Sequence, residues 1–204
     1  MRLVLIGASG HGKVCAEIAE AMGCYSEIVF LDDNRELDSC GRYPVLGTSD
    51  NIKDYLAEDT AFFVSIGNSS FRRRIQDKVL EAGGVIATLV HPDSTVSDTA
   101  LLGKGVVIMA GSVINADAIV GDGVIVNTCS SIDHDCKVGD FCHVSVGAHV
   151  CGTVFIGESS WIGAGAVISN NLRICENCMV GAGAVVISDV EEQGTYIGLP
   201  ARKR

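Results

Sequence analysis

Aliphatic residues recur at every sixth position from Val96 to Val186, including Ile108, Ile114, Val120, Val126, Ile132, Val138, Val144 and Val150, without an insertion or exception. Four residues after each stands a side chain that is mostly small and never charged, such as Ala100, Ser112, Cys136, Cys142, Ala148, Ser160 or Ala184. A period of six matches neither a strand nor a helix. It is the pattern of a parallel β-helix, in which each hexad forms one side of a triangular coil and three hexads close a turn. Residues 18 apart then lie on top of one another at about the 4.8 Å strand spacing, and sixteen hexads predict about five coils. The aliphatic position and the one four residues later point inward; the next residue, five after the aliphatic one, points out.

Residues 1–90 follow a different rhythm. Arg2 to Ile6 and Glu27 to Leu31 read as buried strands, GASGHG (7–12) as a turn, and Lys13 to Met22 as a helix. Ala61 to Ile66 predicts a third strand, with Gly67 and Asn68 as its turn and Ser69 or Ser70 capping a helix that runs to about Ala82. Val85 to Leu89 adds a further strand before the repeat takes over. Strands alternating with helices imply a small parallel sheet. The fold class expected is therefore a small Rossmann-like α/β domain over 1–90, followed by an all-β parallel β-helix over 91–204.

Composition narrows the function. The chain carries 15 Lys and Arg against 25 Asp and Glu, and a net charge of -10 repels phosphate backbones and anionic lipids alike. Nucleic acid and membrane insertion are not expected partners. The apolar run at the N-terminus, Leu3 to Ile6, is too short for a signal-peptide core, which points to a cytoplasmic protein. Nine cysteines, an odd number, suit free thiols in a reducing compartment. Glycine, at 24 of 204 residues, suggests many tight corners.

The stretch NTCSSIDHDCKVGDFCHVSVGAHV (127–150) concentrates three histidines, three cysteines and three aspartates. Cys136, Cys142 and Cys178 fall on inward positions and read as core fillers. Cys175 and Cys178 form a CxxC, but one lies beside a corner and the other inside, so their side chains are expected to diverge. His143 and His149 are on outward positions. His134 sits near a corner and is followed by Asp135, which can reach it only if the chain bends there. The two are either solvated polar residues or a general base and its orienter. Nine residues separate His134 from His143, which places them on different sides of the prism. Cooperation between them would require a site between subunits, for which a cyclic trimer is suited. IGAGAV (162–167) and VGAGAV (180–185) stack Ala164 beneath Ala182, giving a smooth column: either plain corner glycines or a groove for a long, thin ligand. In the N-terminal domain, GxxGxG departs from the dinucleotide fingerprint, and Asp32 and Asp33 fall about where a ribose-binding acid would. Arg72 to Arg74 read as a solvated helix face.

GASGHG, FLDD, IGN, the hexads, SIDHD, FCHVSVGAHVCG and the closing GLPA together resemble the bacterial sugar acetyltransferases of the UDP-N-acetylbacillosamine pathway, with sialic acid O-acetyltransferases and perosamine N-acetyltransferases as near relatives. The resemblance spans essentially the whole chain. It implies a left-handed β-helix and acetyl transfer from acetyl-CoA to the 4-amino group of a UDP-4-amino-4,6-dideoxy-N-acetylglucosamine. It also implies a homotrimer with sites between subunits and no metal. His134 matches the catalytic histidine; Asp135 stands where relatives often carry Glu. His143 matches a residue close to acetyl-CoA, and Gly152, Ala164 and Ala182 match main-chain contacts to the coenzyme. Ser9, Gly10, His11, Asp32, Asp33 and Gly67 match the nucleotide-sugar contacts. The rival readings are another acceptor in the same class, a zinc hydratase of the γ-carbonic anhydrase type with three interfacial histidines, and a non-catalytic nucleotide-sugar sensor.

Overall fold

A computed structural model describes all 204 residues, in two compact units, Met1–Pro92 and Asp93–Arg204. In the first, β1 (Arg2–Ile6), α1 (Gly10–Met22), β2 (Glu27–Leu31), the short hairpin β3 (Ser39–Cys40) and β4 (Tyr43–Pro44), β5 (Thr60–Val64), α2 (Ser69–Glu81) and β6 (Val85–Ile86) follow in order. The main sheet has the order β2-β1-β5-β6 and is parallel throughout. Its central strands are fully buried: Leu3 to Ile6 and Ala61 to Val64 are apolar because both faces of a parallel sheet are covered. The chain goes from β1 to β2 on one side and returns to β5 on the other, which makes the carboxyl ends of β1 and β5 a topological switch point, where open α/β sheets bind ligands.

Three local expectations are corrected. Helix α1 starts at Gly10, so half of GASGHG is its first turn; Gly12 lies so close to Gly7 that a Cβ there would come within 2.3 Å of the Gly7 carbonyl oxygen. The cap of α2 is Asn68, whose side chain accepts from the Phe71 amide at 3.0 Å, with neither serine in that role. Arg72 is not solvated: it is 0% exposed and its Nη1 donates to the carbonyls of Ile66 and Gly67 at 2.8 and 2.7 Å. A charge that is buried must be hydrogen-bonded, and here it ties down the turn that leaves β5.

The second unit is a solenoid built mainly of two-residue strands that pair in parallel with the strand 18 residues away, as in Ile119↔Lys137, Ile125↔His143 and Ser131↔His149. From Ile108 to Val186 the aliphatic position of every hexad is buried, as is nearly every residue four later. The corners share one conformation. Every sixth residue from 105 to 183 has positive φ, and this position is glycine at 105, 111, 123, 147, 165 and 183 but Asp117, Cys129, Asp135, Phe141, Thr153, Ser159, Asn171 and Asn177 elsewhere. The left-handed residue reverses the chain from one face to the next and lets its amide reach the coil below, as Asp135 does to the Ala116 carbonyl and Thr153 to that of His134. Aspartate and asparagine tolerate this conformation better than most residues, which accounts for four of the eight exceptions.

Four residues of the inner column share a repeated bond to the carbonyl 15 residues on. Ser112 Oγ donates to Asn127 at 2.9 Å, Ser160 Oγ to Cys175 at 3.1 Å, Cys136 Sγ to Cys151 at 3.1 Å and Cys142 Sγ to Gly157 at 3.1 Å. These buried cysteines are thus interchangeable with serine in function. Cys142→Ser is expected to change the unfolding free energy by less than about 1 kcal/mol, because the hydroxyl makes the same bond. Cys142→Leu overfills the prism and is expected to lose about 1–3 kcal/mol; denaturant unfolding of the two variants checks both.

Candidate active site

His134 and Asp135 sit at one corner of the solenoid, between the strands Ser131–Ile132 and Lys137–Val138. The bend that the sequence requires is supplied by Asp135 itself, at φ +58°. It brings Asp135 Oδ2 to 2.7 Å from His134 Nδ1, while both side chains remain more than half exposed. One coil below, Asn115 Nδ2 donates to Asp133 Oδ1 at 2.7 Å, and the same oxygen accepts the His134 amide at 2.8 Å, which fixes the backbone that carries the imidazole. The Asp135 hydrogen bond, followed by the charge of Asp133, raises the His134 pKa above the ordinary histidine value. It also selects the tautomer with hydrogen on Nδ1, so that Nε2 presents a lone pair outward. One coil above, Gly152 leaves room at that nitrogen: a Cβ at 152 would lie 2.6 Å from Nε2 and 2.8 Å from Cε1.

The column of small residues occupies the next corner. Ala164, Gly165, Ala182 and Gly183 are all exposed, and an added Cβ at either glycine would meet nothing within 4 Å. The amides of Gly152, Ala164 and Ala182 have no backbone acceptor. At Ala164 and Ala182 the small side chains leave the main chain of this corner uncovered.

His143 departs from expectation. Although on an outward position, it is only 8% exposed, because Trp161 lies one coil above with ring centroids 4.4 Å apart and Asn127 Nδ2 lies 3.0 Å from Nε2. His149 is exposed and pairs through Nδ1 with Ser131 Oγ at 2.9 Å. Within one chain no group of three or more His, Cys, Asp or Glu residues is placed to hold a metal ion.

In the first unit, the six predicted residues gather at the carboxyl edge of the sheet. Ser9 precedes α1, Gly10 and His11 form its first turn, and Gly67 follows β5. Asp32 Oδ2 accepts the Ala8 amide at 2.6 Å and its Oδ1 the Asn34 amide at 2.8 Å, while Asp33 Oδ1 accepts the Ser49 amide at 2.9 Å. The two aspartates thus hold the loops around the crevice in shape. A groove of about 340 Å³ opens beside Asp32, with Asn34, Arg35, Thr48 and Asn51 on its wall; none of these last four was singled out from sequence, since isolated polar residues in a loop carry no periodic signal. Burial, and secondly the positive charge of Arg72, push the His11 pKa down to about 4. A neutral His11 therefore adds stability that is complete above the unfolded value near 6.5 and is lost as pH falls toward 4.

Residues 2–79 match the PglD N-terminal domain, and residues 153–188 match the bacterial transferase hexapeptide (six repeats). The chain is 42% identical to the acetyltransferase domain of PglB from Neisseria gonorrhoeae, whose structure in complex with acetyl coenzyme A superposes with a TM-score of 0.97 over 100% of this chain and 98% of that one. PerB from Caulobacter crescentus, solved in complex with CoA and GDP-perosamine, is 33% identical with a TM-score of 0.95 over 100% and 97% of the two chains. The UDP-N-acetylbacillosamine N-acetyltransferase of Bacillus subtilis (strain 168) is 33% identical over 110 residues, 53% of this chain and 51% of its own, so the match spans about half of that curated relative. The stacked hexads and the domain before them define a hexapeptide-repeat transferase. Within that class the chain belongs to the family of bacterial acetyltransferases that join a PglD N-terminal domain to the solenoid.

The dyad makes a measurable statement about protonation. Replacing the Asp135 carboxylate by an amide removes the main cause of the raised His134 pKa, so Asp135→Asn is expected to move the His134 imidazole titration to lower pH. NMR of the ring protons in both forms tests this; an unmoved midpoint would exclude Asp135 as the orienting group.

Proposed function

We propose that the protein is an acetyl-CoA-dependent N-acetyltransferase acting on the 4-amino group of a UDP-4-amino-4,6-dideoxy-N-acetylglucosamine, with His134 as general base. The observation that carries this reading is the His134–Asp135 contact of 2.7 Å at an exposed corner, with Gly152 keeping the space beside Nε2 open. Support for the UDP sugar over GDP-perosamine comes from the UDP-N-acetylbacillosamine N-acetyltransferase of Bacillus subtilis, 33% identical over 110 residues, against 31% for the GDP-perosamine N-acetyltransferase of Escherichia coli O157:H7.

Acetyl-CoA, when bound, supplies an acetyl group activated as a thioester. The chain supplies position and a base. Nε2 of His134 accepts the proton that the sugar amine sheds on attack, and Asp135 holds Nδ1–H and stabilises the imidazolium that results. Gly152, Ala164 and Ala182 offer their amides to the coenzyme, and His143, held between Asn127 and Trp161, borders it as a fixed polar group. Ser9, Gly10, His11, Asp32, Asp33 and Gly67 hold the nucleotide sugar. His134 and the column of small residues occupy different corners of one prism, which supports a homotrimer in which one protomer presents the base and its neighbour the coenzyme groove.

Release of CoA in the presence of a panel of UDP- and GDP-linked amino sugars and of sialic acid tests the assignment. Turnover is expected with the UDP-4-amino sugar; preferential turnover of GDP-perosamine or of a sugar hydroxyl would reassign the acceptor, and binding without CoA release would make the protein a sensor. His134→Ala is expected to abolish most of the turnover without changing the oligomer. Gly152→Ala, whose backbone conformation accepts alanine, pushes the imidazole aside and is expected to lower turnover on the order of ten- to a hundred-fold at unchanged thermal midpoint.

A further inference from the structure

The third corner of the solenoid carries none of the residues assigned above, and it ends in two cysteines. Along this corner Gly103, Gly121, Gly139 and Gly157 form a column, and each must be glycine because a Cβ would come within 2.3–2.7 Å of the coil above. The next member is Cys175. The segment above it meets it through the Val190 carbonyl, which accepts the Cys175 amide at 2.8 Å, and beside this contact a groove of about 510 Å³ opens, lined by Cys175 together with Phe155, Arg173, Glu176, Asp189 and Glu191.

Its partner also breaks a rule. Cys136 and Cys142 donate to carbonyls at 3.1 Å, but the nearest carbonyls to Cys178 Sγ, those of Glu176 and Glu192, are at 3.6 Å. What lies close is the other sulfur, with Cys175 Sγ 3.2 Å from Cys178 Sγ. The sequence reading that these side chains diverge is therefore wrong. The positive φ of Asn177 folds the four residues into a tight turn, and the ends of such a turn are less than about 7 Å apart at Cα, within the span a disulfide bridges.

We propose that Cys175 and Cys178 form a reactive dithiol that exchanges with a small-molecule disulfide and closes to an intramolecular disulfide across this turn. Cys175, half-buried and open to the groove, is the attacking thiol. Its thiolate attacks one sulfur of the small disulfide, forms a mixed disulfide and releases the first thiolate. Cys178 then gives up its proton and attacks the Cys175 sulfur, releasing the second. The small disulfide is reduced to two thiols, which carry the two protons, and the protein dithiol is oxidised by two electrons. Burial, followed by the hydrogen bond to Cys175, pushes the Cys178 thiol up to about 12, so Cys178 is not the thiol that starts the exchange. Carboxylates of Glu176, Asp189 and Glu191 surround the opening against the single cation Arg173, so the preferred reagent is a cationic disulfide.

The test uses the full chain, folded by circular dichroism, treated with cystamine and read by intact mass and peptide mapping. The peptide holding residues 175 and 178 is expected to become lighter by two hydrogens, without accumulating a cysteamine adduct. In Cys178→Ser the reaction should stop at a stable adduct on Cys175, and in Cys175→Ser the buried Cys178 should stay free. The proposal is overturned if the native chain accumulates the Cys175 adduct as Cys178→Ser does, or if both thiols stay free while the exposed Cys24 and Cys129 react.

Discussion

The solenoid depends on one backbone requirement, a left-handed residue at the same place in fourteen successive hexads. Each such residue turns the chain by one side of the triangle and aims its amide at the coil below, so corner geometry and stacking register are set together. Where the position is not glycine, the conformation is strained for the residue that occupies it, and the inter-coil hydrogen bonds on either side hold it there. At residue 135 that strained conformation lies at the centre of the proposed chemistry: it turns two neighbours that would point to opposite faces of a strand into a hydrogen-bonded pair.

The candidate site is consequently a vertical arrangement. Asn115 below braces Asp133, His134 occupies the middle, and Gly152 above leaves space at Nε2, each 18 or 19 residues from the next along the chain. The three corners have separate characters: one holds the imidazole, one the smooth column of Ala164 and Ala182, one the cysteine pair. In the first unit the same economy appears in another form, with the parallel sheet bringing the ends of β1, β2 and β5 to one edge and the buried Arg72 fixing the turn beside it.

Much of this was legible from periodicity, because an aliphatic residue every six positions has no other common origin, and an alternating strand and helix pattern implies a parallel sheet. What was hidden depended on neighbours far away in sequence or on terminal effects. The burial of His143 requires Trp161, 18 residues later. The left-handed corner position is masked wherever Phe141, Thr153 or Cys129 replaces glycine. Arg72 reads as a surface residue because it stands in a run of three arginines, yet its guanidinium finds two carbonyls that only the folded turn supplies. The approach of Cys175 to Cys178 follows from the turn that the left-handed Asn177 closes, and no spacing rule contains that information.

A ladder of identical rungs also limits how such a chain can change in length. Inserting a single residue between His134 and Gly152 would break the 18-residue stacking across that coil and part the imidazole from the glycine above it. Duplicating one whole circuit above Val186 would preserve every existing inter-coil bond at that corner. Growth of this architecture is therefore quantised, with the coil as its unit of inheritance.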